Sequence, residues 1–266
     1  MKYKEFNLSE DQYNELCTKC DLILNENIEN PLRVANNWLH IIRNHPITLS
    51  KYNYIFSRIN LFKFYLICLG RFCYYVGISF LRFFKLKQDH INKFKDLKFK
   101  NIFISHFFGN NHFIKNEDFY YFKLPIYMQR GNTKSLIVYI NHRNKILNIT
   151  NLSNDNLSRY ILPKYLSFGE ELKITWLLLK DAIKILFRKN KSITEKKINF
   201  QAFVESLSPA SHFNYRLANQ VEKLTKKFQP KNIFTTFEGH PWERLIYFST
   251  KKIRPEINNI AFQHSF

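Results

Sequence analysis

Acidic residues are scarce in this 266-residue chain: 21 Asp and Glu stand against 41 Lys and Arg, a formal net charge of +20. Such a surplus attracts polyanions, so nucleic acid and an anionic membrane surface both enter as partners to weigh. No long Lys/Arg run concentrates the charge, and short patches such as Lys196-Lys197 and Lys226-Lys227 read as solvated helix faces. Glycine (6) and proline (8) are also few, while Asn, Ile, Lys, Phe and Tyr abound, a bias that an AT-rich coding sequence imposes on any protein. The charge therefore has a compositional cause as well as a functional one, and nucleic-acid binding ranks third among the functions weighed.

Cysteine is nearly lacking. Cys17, Cys20, Cys68 and Cys73 are too few and too unevenly spread for a disulfide-stapled secreted domain, which fits a reducing cytoplasm. Cys17-Thr-Lys-Cys20 has the spacing of half a zinc site. No second Cys or His pair follows at finger-like spacing, and a closed site needs four ligands. The N-terminal Met-Lys-Tyr-Lys-Glu-Phe-Asn lacks the apolar core and cleavage site of a signal peptide. Internal repeats and low-complexity linkers are missing too. What the chain does have is 45% hydrophobic residues, enough at this length to bury a sizeable core.

The first ninety residues read as helical. Ser9 with Gln12 forms a capping-box start for a helix through the Leu22 region, and Pro31 opens a second carrying Val34, Trp38, Leu39 and Ile42. From Asn60 to Lys87 a longer amphipathic pattern gathers Asn60, Lys63, Arg71, Arg82 and Lys85 on one stripe. Leu172 to Lys189 repeats the design with Lys173, Lys180, Asp181, Lys184 and Arg188 on one face. The bland expectation is that each broad apolar side packs on a core and each basic stripe meets water. The functional alternative is a helix lying in a membrane interface, with Lys and Arg reaching toward anionic head groups. A spanning helix would have to carry Arg71 through hydrocarbon.

At Asn101 the pattern changes to short β-rich runs alternating with helical ones. Asn101–Ser105 and Ser135–Asn141 read as strands around a helical stretch at Asp118 to Arg130, and a further apolar run, Tyr160–Leu162, precedes the Leu172 helix. Ser208 and Pro209 start a helix to Phe228, Pro230 ends it, and strands at Asn232–Phe237 and Ile257–Phe262 flank one more helix. Such alternation predicts an α/β fold with a mainly parallel Rossmann-like sheet, over 99–266, preceded by a helical region over 1–98.

In open parallel sheets ligands bind outside the carboxyl ends of the strands, so the residues that follow each strand are the ones to inspect. His106, His142, His240 and His264, four of the nine histidines, follow four predicted strands. A single histidine there is ordinarily a surface residue; four with Glu238 at one edge make a candidate cleft. Gly239 permits a tight strand-to-helix turn, Pro241 suits the first helical position, and Glu243 falls in the first turn. The helix start would then aim free N–H groups at the cleft, where they could hold an anion. Glu238 is a candidate general base toward a sugar hydroxyl, with simple helix capping as its plainer role.

Glu238-Gly-His-Pro-Trp-Glu-Arg244, followed after a helix by Ile260-Ala-Phe-Gln-His-Ser265, resembles bacterial surface-carbohydrate biosynthesis proteins of the O-antigen and capsule type, which look like two-domain GT-B glycosyltransferases. Weaker echoes are Ile104-Ser-His106, Leu124-Pro125 with Ser135 to His142, and Ile161-Leu-Pro163, so the resemblance spans roughly 101–266. It implies the N-terminal, acceptor-binding domain of such an enzyme, with the chain stopping just after its Gln-His-Ser motif and before a donor domain. The last strand also lacks the covering helix that a parallel strand normally has.

The implied function is therefore the acceptor-side half of a glycosyltransferase-like protein for lipopolysaccharide O-antigen or capsule synthesis, incomplete as a single chain. Its implied partners are a polysaccharide or lipid-linked acceptor and a partner chain or missing C-terminal domain. No cofactor is expected on this chain alone, and a nucleotide-sugar donor would come with the second domain. The expected site is Glu238 as base, His106, His142, His240, Gln263, His264 and Ser265 lining the cleft, and Gly239, Pro241, Trp242 and Glu243 as structural or interdomain residues. No metal ligand is assigned, and the lack of an Asp-x-Asp triplet gives no support for a metal-dependent GT-A site. The expected location is the cytoplasm, peripheral to the inner face of the membrane. A non-catalytic binding or assembly module is the second function weighed.

Overall fold

A computed structural model describes residues 8–26, 31–40, 52–83, 97–109, 117–129, 133–142 and 157–263. The chain forms two compact units, one from Met1–Lys85 with Phe168–Tyr215 and the other from Leu86–Ser167 with Arg216–Phe266. The expected division at residues 98 and 99 thus gives way to one in which Phe168–Tyr215 joins the N-terminal helices. Packing is the reason: Ile185, Ile198, Ala202 and Val204 share one apolar core with Leu16, Cys20, Ile23, Leu39, Ile55 and Phe64.

In the helical unit, α1 (Glu10–Asn25) begins at the predicted capping box, with Ser9 Oγ accepting from Gln12 N–H and Gln12 Oε1 from Ser9 N–H. After Pro31 the predicted helix is replaced by two 3₁₀ turns, Arg33–Ala35 and Asn37–Leu39. Asn36 breaks the helix by serving as a cap: its Oδ1 accepts from Trp38 N–H, and its Nδ2 donates to Ala202 O at 2.8 Å and Ser206 Oγ at 2.9 Å. Ile42 lies outside the described residues. Arg33, buried at this corner, donates to Ile23 O, pairs with Glu26 and sits 3.4 Å from Asp181.

Helices α2 (Leu61–Phe83), α3 (Phe168–Leu186) and α4 (Ile193–Ser206) complete the helical frame. The sequence patches Lys196-Lys197 as a solvated face, yet Lys197 is buried. Its Nζ donates to Ile55 O at 3.3 Å and Ser57 O at 2.9 Å, so the ammonium replaces water for two carbonyls at the end of a helical turn. Burial pulls its pKa below the usual lysine range. Lys226, by contrast, is exposed and pairs with Glu222 one turn away. Lys197→Met keeps the apolar stem but strands both carbonyls, and we expect it to cost about 1–3 kcal/mol in urea denaturation of the helical unit. Lys226→Met should change stability by under about 0.5 kcal/mol, because exposed pairs contribute little.

The second unit is the α/β sheet. Strands β1 (Phe99–Phe107), β2 (Lys134–Asn141), β3 (Ser158–Ile161), β4 (Asn232–Thr236) and β5 (Asn258–Phe262) lie in the order β3-β2-β1-β4-β5, and every pair is parallel. The expected α/β, Rossmann-like class is therefore the observed one. Ile102–Ile104 and Leu136–Ile140 are buried without alternation, as strands covered on both faces require. Phe103 stacks on its cross-strand neighbour Phe234 at 4.3 Å and 8°, and Tyr121, Phe107 and Tyr139 pack in the same core. Helices α5 (Pro209–Phe228) and α6 (Pro241–Ile253) precede β4 and β5.

The helix expected at Asp118 to Arg130 shrinks to one turn, Leu124–Tyr127. Asp118 causes this. Its carboxylate accepts the N–H groups of Tyr120 and Tyr121, its backbone bridges to Phe122, and Phe122 takes a positive φ of 49°, which no helix continues through. Strand β1 has β2 on one side and β4 on the other. The crevice at the carboxyl ends of β1 and β4 is the topological switch point of the sheet.

Candidate functional site

The cluster at that switch point is built from residues that end strands. His106 is the penultimate residue of β1, His142 follows β2, and Thr236 closes β4. His106 Nδ1 lies 2.8 Å from His142 Nε2, and His106 Nε2 lies 3.3 Å from Thr236 Oγ1. One imidazole nitrogen of the close pair must donate and the other accept, so the pair tolerates one added proton but not an N–H facing an N–H. Aromatic rings surround it. Trp242 meets His106 edge to face at 5.7 Å, Tyr120 lies 5.3 Å away, and Phe108 stacks flat on His142 at 4.5 Å and 7°.

The stack explains how His142, on the solvent side of the cluster, still loses water from its ring. Burial first, and the Lys164 charge second, hold its pKa below the ordinary imidazole value. A depressed imidazole releases in the folded state a proton that the unfolded chain still binds. Its contribution is complete above about pH 6.5 and is lost as pH falls below that value, levelling off under the folded pKa. We expect the melting temperature followed in the α/β unit to drop between pH 7.5 and 5, and His142→Gln to remove part of that slope.

The second part of the site is the turn from β4 into α6. Gly239 adopts φ +79° there, a left-handed conformation. Glu243 is wholly buried one helical turn later, and its carboxylate folds back to accept Glu238 N–H at 3.0 Å and His240 N–H at 2.9 Å. Burial raises its pKa, while the backbone donors of Glu238, His240 and Gly239 and the charge of His240 oppose that rise. The anion that a helix start attracts is thus supplied by the chain itself. Glu243 occupies the amides of Glu238 and His240, just ahead of the first helical residue.

Glu238 is left outside this cap. Its carboxylate is 3.0 Å from His240 Nε2, and both side chains remain about half exposed, 53% and 44%. Tyr120 bridges the two parts of the site: burial first, then the carboxylates of Glu238 and Asp118, push its phenol above the ordinary value, so the hydroxyl stays protonated. Behind it Ser105 Oγ donates to buried Asp118 at 2.9 and 3.1 Å, which fixes the Tyr120 turn.

The structure brings His106, His142, Glu238, His240 and Trp242 to one edge. Gln263 is exposed just past β5, next to Phe262, whose carbonyl accepts Phe237 N–H. His264 and Ser265 lie outside the described residues. Pro241 occupies the first position of α6 and Glu243 its third, both buried. Sequence reasoning missed Thr236, Phe108, Tyr120 and Asp118. An Asp two residues ahead of a Tyr-Tyr pair is a turn signal in hindsight; nothing marks Thr236 apart from its place at a strand end. Among the described residues no three His, Cys, Asp or Glu side chains are placed to hold a metal ion. An open cavity of about 470 Å³, lined by Lys98, Lys100, Lys134 and Lys231, lies at the opposite end of the sheet, where strands begin.

No family model, no curated protein and no solved structure matches the chain. The reading of the site therefore rests on its own chemistry. Gly239→Ala meets no neighbouring atom and should cost only the left-handed strain, about 1–2 kcal/mol in denaturant titration. Glu243→Gln can accept one of the two N–H groups and presents an amide to the other, so denaturant titration should find a loss of about 1–3 kcal/mol.

Proposed function

We propose that the α/β unit is the acceptor-side half of a GT-B-like glycosyltransferase of surface-polysaccharide synthesis, of the O-antigen or capsule kind, working in the cytoplasm on a saccharide or lipid-linked saccharide. The observation that carries this reading is the imidazole pair enclosed by Phe108, Tyr120 and Trp242 at the switch point. A sugar ring presents apolar C–H faces beside hydroxyls that both donate and accept. Aromatic rings suit the first, and imidazoles that can donate or accept suit the second.

Glu238 is the group that would take the proton from the attacking hydroxyl, with His240 at 3.0 Å to stabilise its charge. The nucleotide-sugar donor would be held by a second domain or a partner chain, and transfer would need both. Four free cysteines suit a reducing compartment.

Titrating the full chain with bacterial surface oligosaccharides, by ligand-observed NMR, tests the reading. Saccharide binding that His106→Ala weakens about tenfold or more supports it, the loss expected for one or two hydrogen bonds and a ring contact. Glu238→Gln should leave that binding within about threefold, because a base acts on the reacting proton rather than on ground-state affinity. Failure of every saccharide to bind would sink the proposal. Binding without transfer, even after a donor domain is supplied, would leave a carbohydrate-binding module in its place.

A further inference from the structure

Helix α2 leaves much of the apolar side that was expected to pack on a core facing outward. Phe64 and Cys68 are buried, with Phe72 and Tyr75 packed behind them, whereas Phe62, Leu66, Ile67, Leu69, Tyr74 and Val76 are exposed. Asn60, Lys63 and Arg71 of the predicted basic stripe are exposed as expected, and Arg71 also lies 4.0 Å from Glu205 and over the Tyr54 ring at 5.5 Å. A broad apolar arc of α2 therefore faces solvent. Leu61–Ser79 has the length and apolar composition to cross a membrane.

The neighbouring helix α3 repeats this arrangement with charge added. Trp176 is 63% exposed and Phe187, just past the helix, 80%, and Leu172 and Ile183 are exposed as well. Lys173, Lys180 and Lys184 are exposed among these side chains, while the acidic Glu171 and Asp181 of the same helix are buried. Helix α2 contains no acidic residue at all. Two of the three acids of α3 are turned inward, Glu170 in the first turn being half-buried, and the lysines are turned outward around large apolar side chains. A second protein copy would offer the same positive charge to itself; a lipid surface bearing negative head groups complements it.

We propose that the helical unit docks on the surface of an anionic lipid bilayer through the exposed sides of α2 and α3, lying in the interface with lysines at the level of the head groups. It lies on the bilayer instead of spanning it, because the buried side of α2 is tied by Arg71 and Tyr75 to Glu205 of α4. Spanning would carry that charge network into hydrocarbon. The inference stands apart from the proposed saccharide site, which lies in the other unit.

Flotation of the full chain with vesicles of phosphatidylcholine and phosphatidylglycerol tests it. Co-flotation with the anionic vesicles, loss with pure phosphatidylcholine and weakening at high salt are expected. Replacing Lys173, Lys180 and Lys184 together with Gln should lower partitioning on the order of a hundredfold. Trp176→Ala with Phe187→Ala should lower it at low and high salt alike, and circular dichroism checks that each variant is folded. No flotation, or equal binding to neutral vesicles, overturns the proposal. So does a dimer that Leu66→Glu disperses in protein floating on no vesicle, since the face would then belong to a second copy. Retention in membranes after an alkaline carbonate wash would equally overturn it, in favour of a spanning helix.

Discussion

Strand β1 is hydrogen-bonded on both sides, to β2 and to β4, and its interior residues are buried on both faces. With a side-chain period of two, that placement leaves no freedom in which residue goes where. Phe103, Ser105 and Phe107 point to one face and Ile102, Ile104 and His106 to the other. A slip of one residue would put His106 where Ser105 meets Asp118 and leave a buried carboxylate without its hydroxyl. The apolar packing of Phe103 on Phe234 therefore holds the polar edge in register, although neither ring touches it.

The helical unit distributes polarity in an uncommon way. Arg33 and Lys197 are taken inside, Lys197 donating to two backbone carbonyls and Arg33 to one, with the carboxylates of Glu26 and Asp181 beside it. Large apolar side chains of α2 and α3 are left outside. Buried cations are tolerable only with such partners, because an unpaired one forfeits its hydration for nothing. These interior charges define the corners where α1, the 3₁₀ turns and α4 meet, places that hydrophobic contacts alone would leave able to slide.

The sheet was legible in the sequence because each strand is a short β-branched or aromatic run bounded by turn residues, and the alternation with helices dictates parallel pairing. The capping box at Ser9 and the Gly239-Pro241 helix start were legible for the same local reason. Elements decided by distant partners were not. Asn36 reads as a helix interior until Ala202 and Ser206 are there to receive its amide, and Asp118 reads as a helix residue until Ser105 is placed behind it. The burial of Lys197 depends on the carbonyls of Ile55 and Ser57 far upstream, and the outward turn of α2 on packing against Phe168–Tyr215, more than eighty positions downstream; no local period records either. At the site, four histidines after strands were visible one by one. The contact between His106 and His142, and the rings that enclose them, needed the strand order.

The turn from β4 into α6 has one more implication. Its amides at Glu238 and His240 are bound by Glu243 from within, and Gly239 bears no side chain. The cap takes these two amides out of play and leaves the side chains of Glu238 and His240 about half exposed to meet a ligand. A scaffold that caps two of its own amides separates holding shape from choosing a ligand. Successive substitutions at those two positions could then move the corner from one polar target to another while the turn beneath them stays intact.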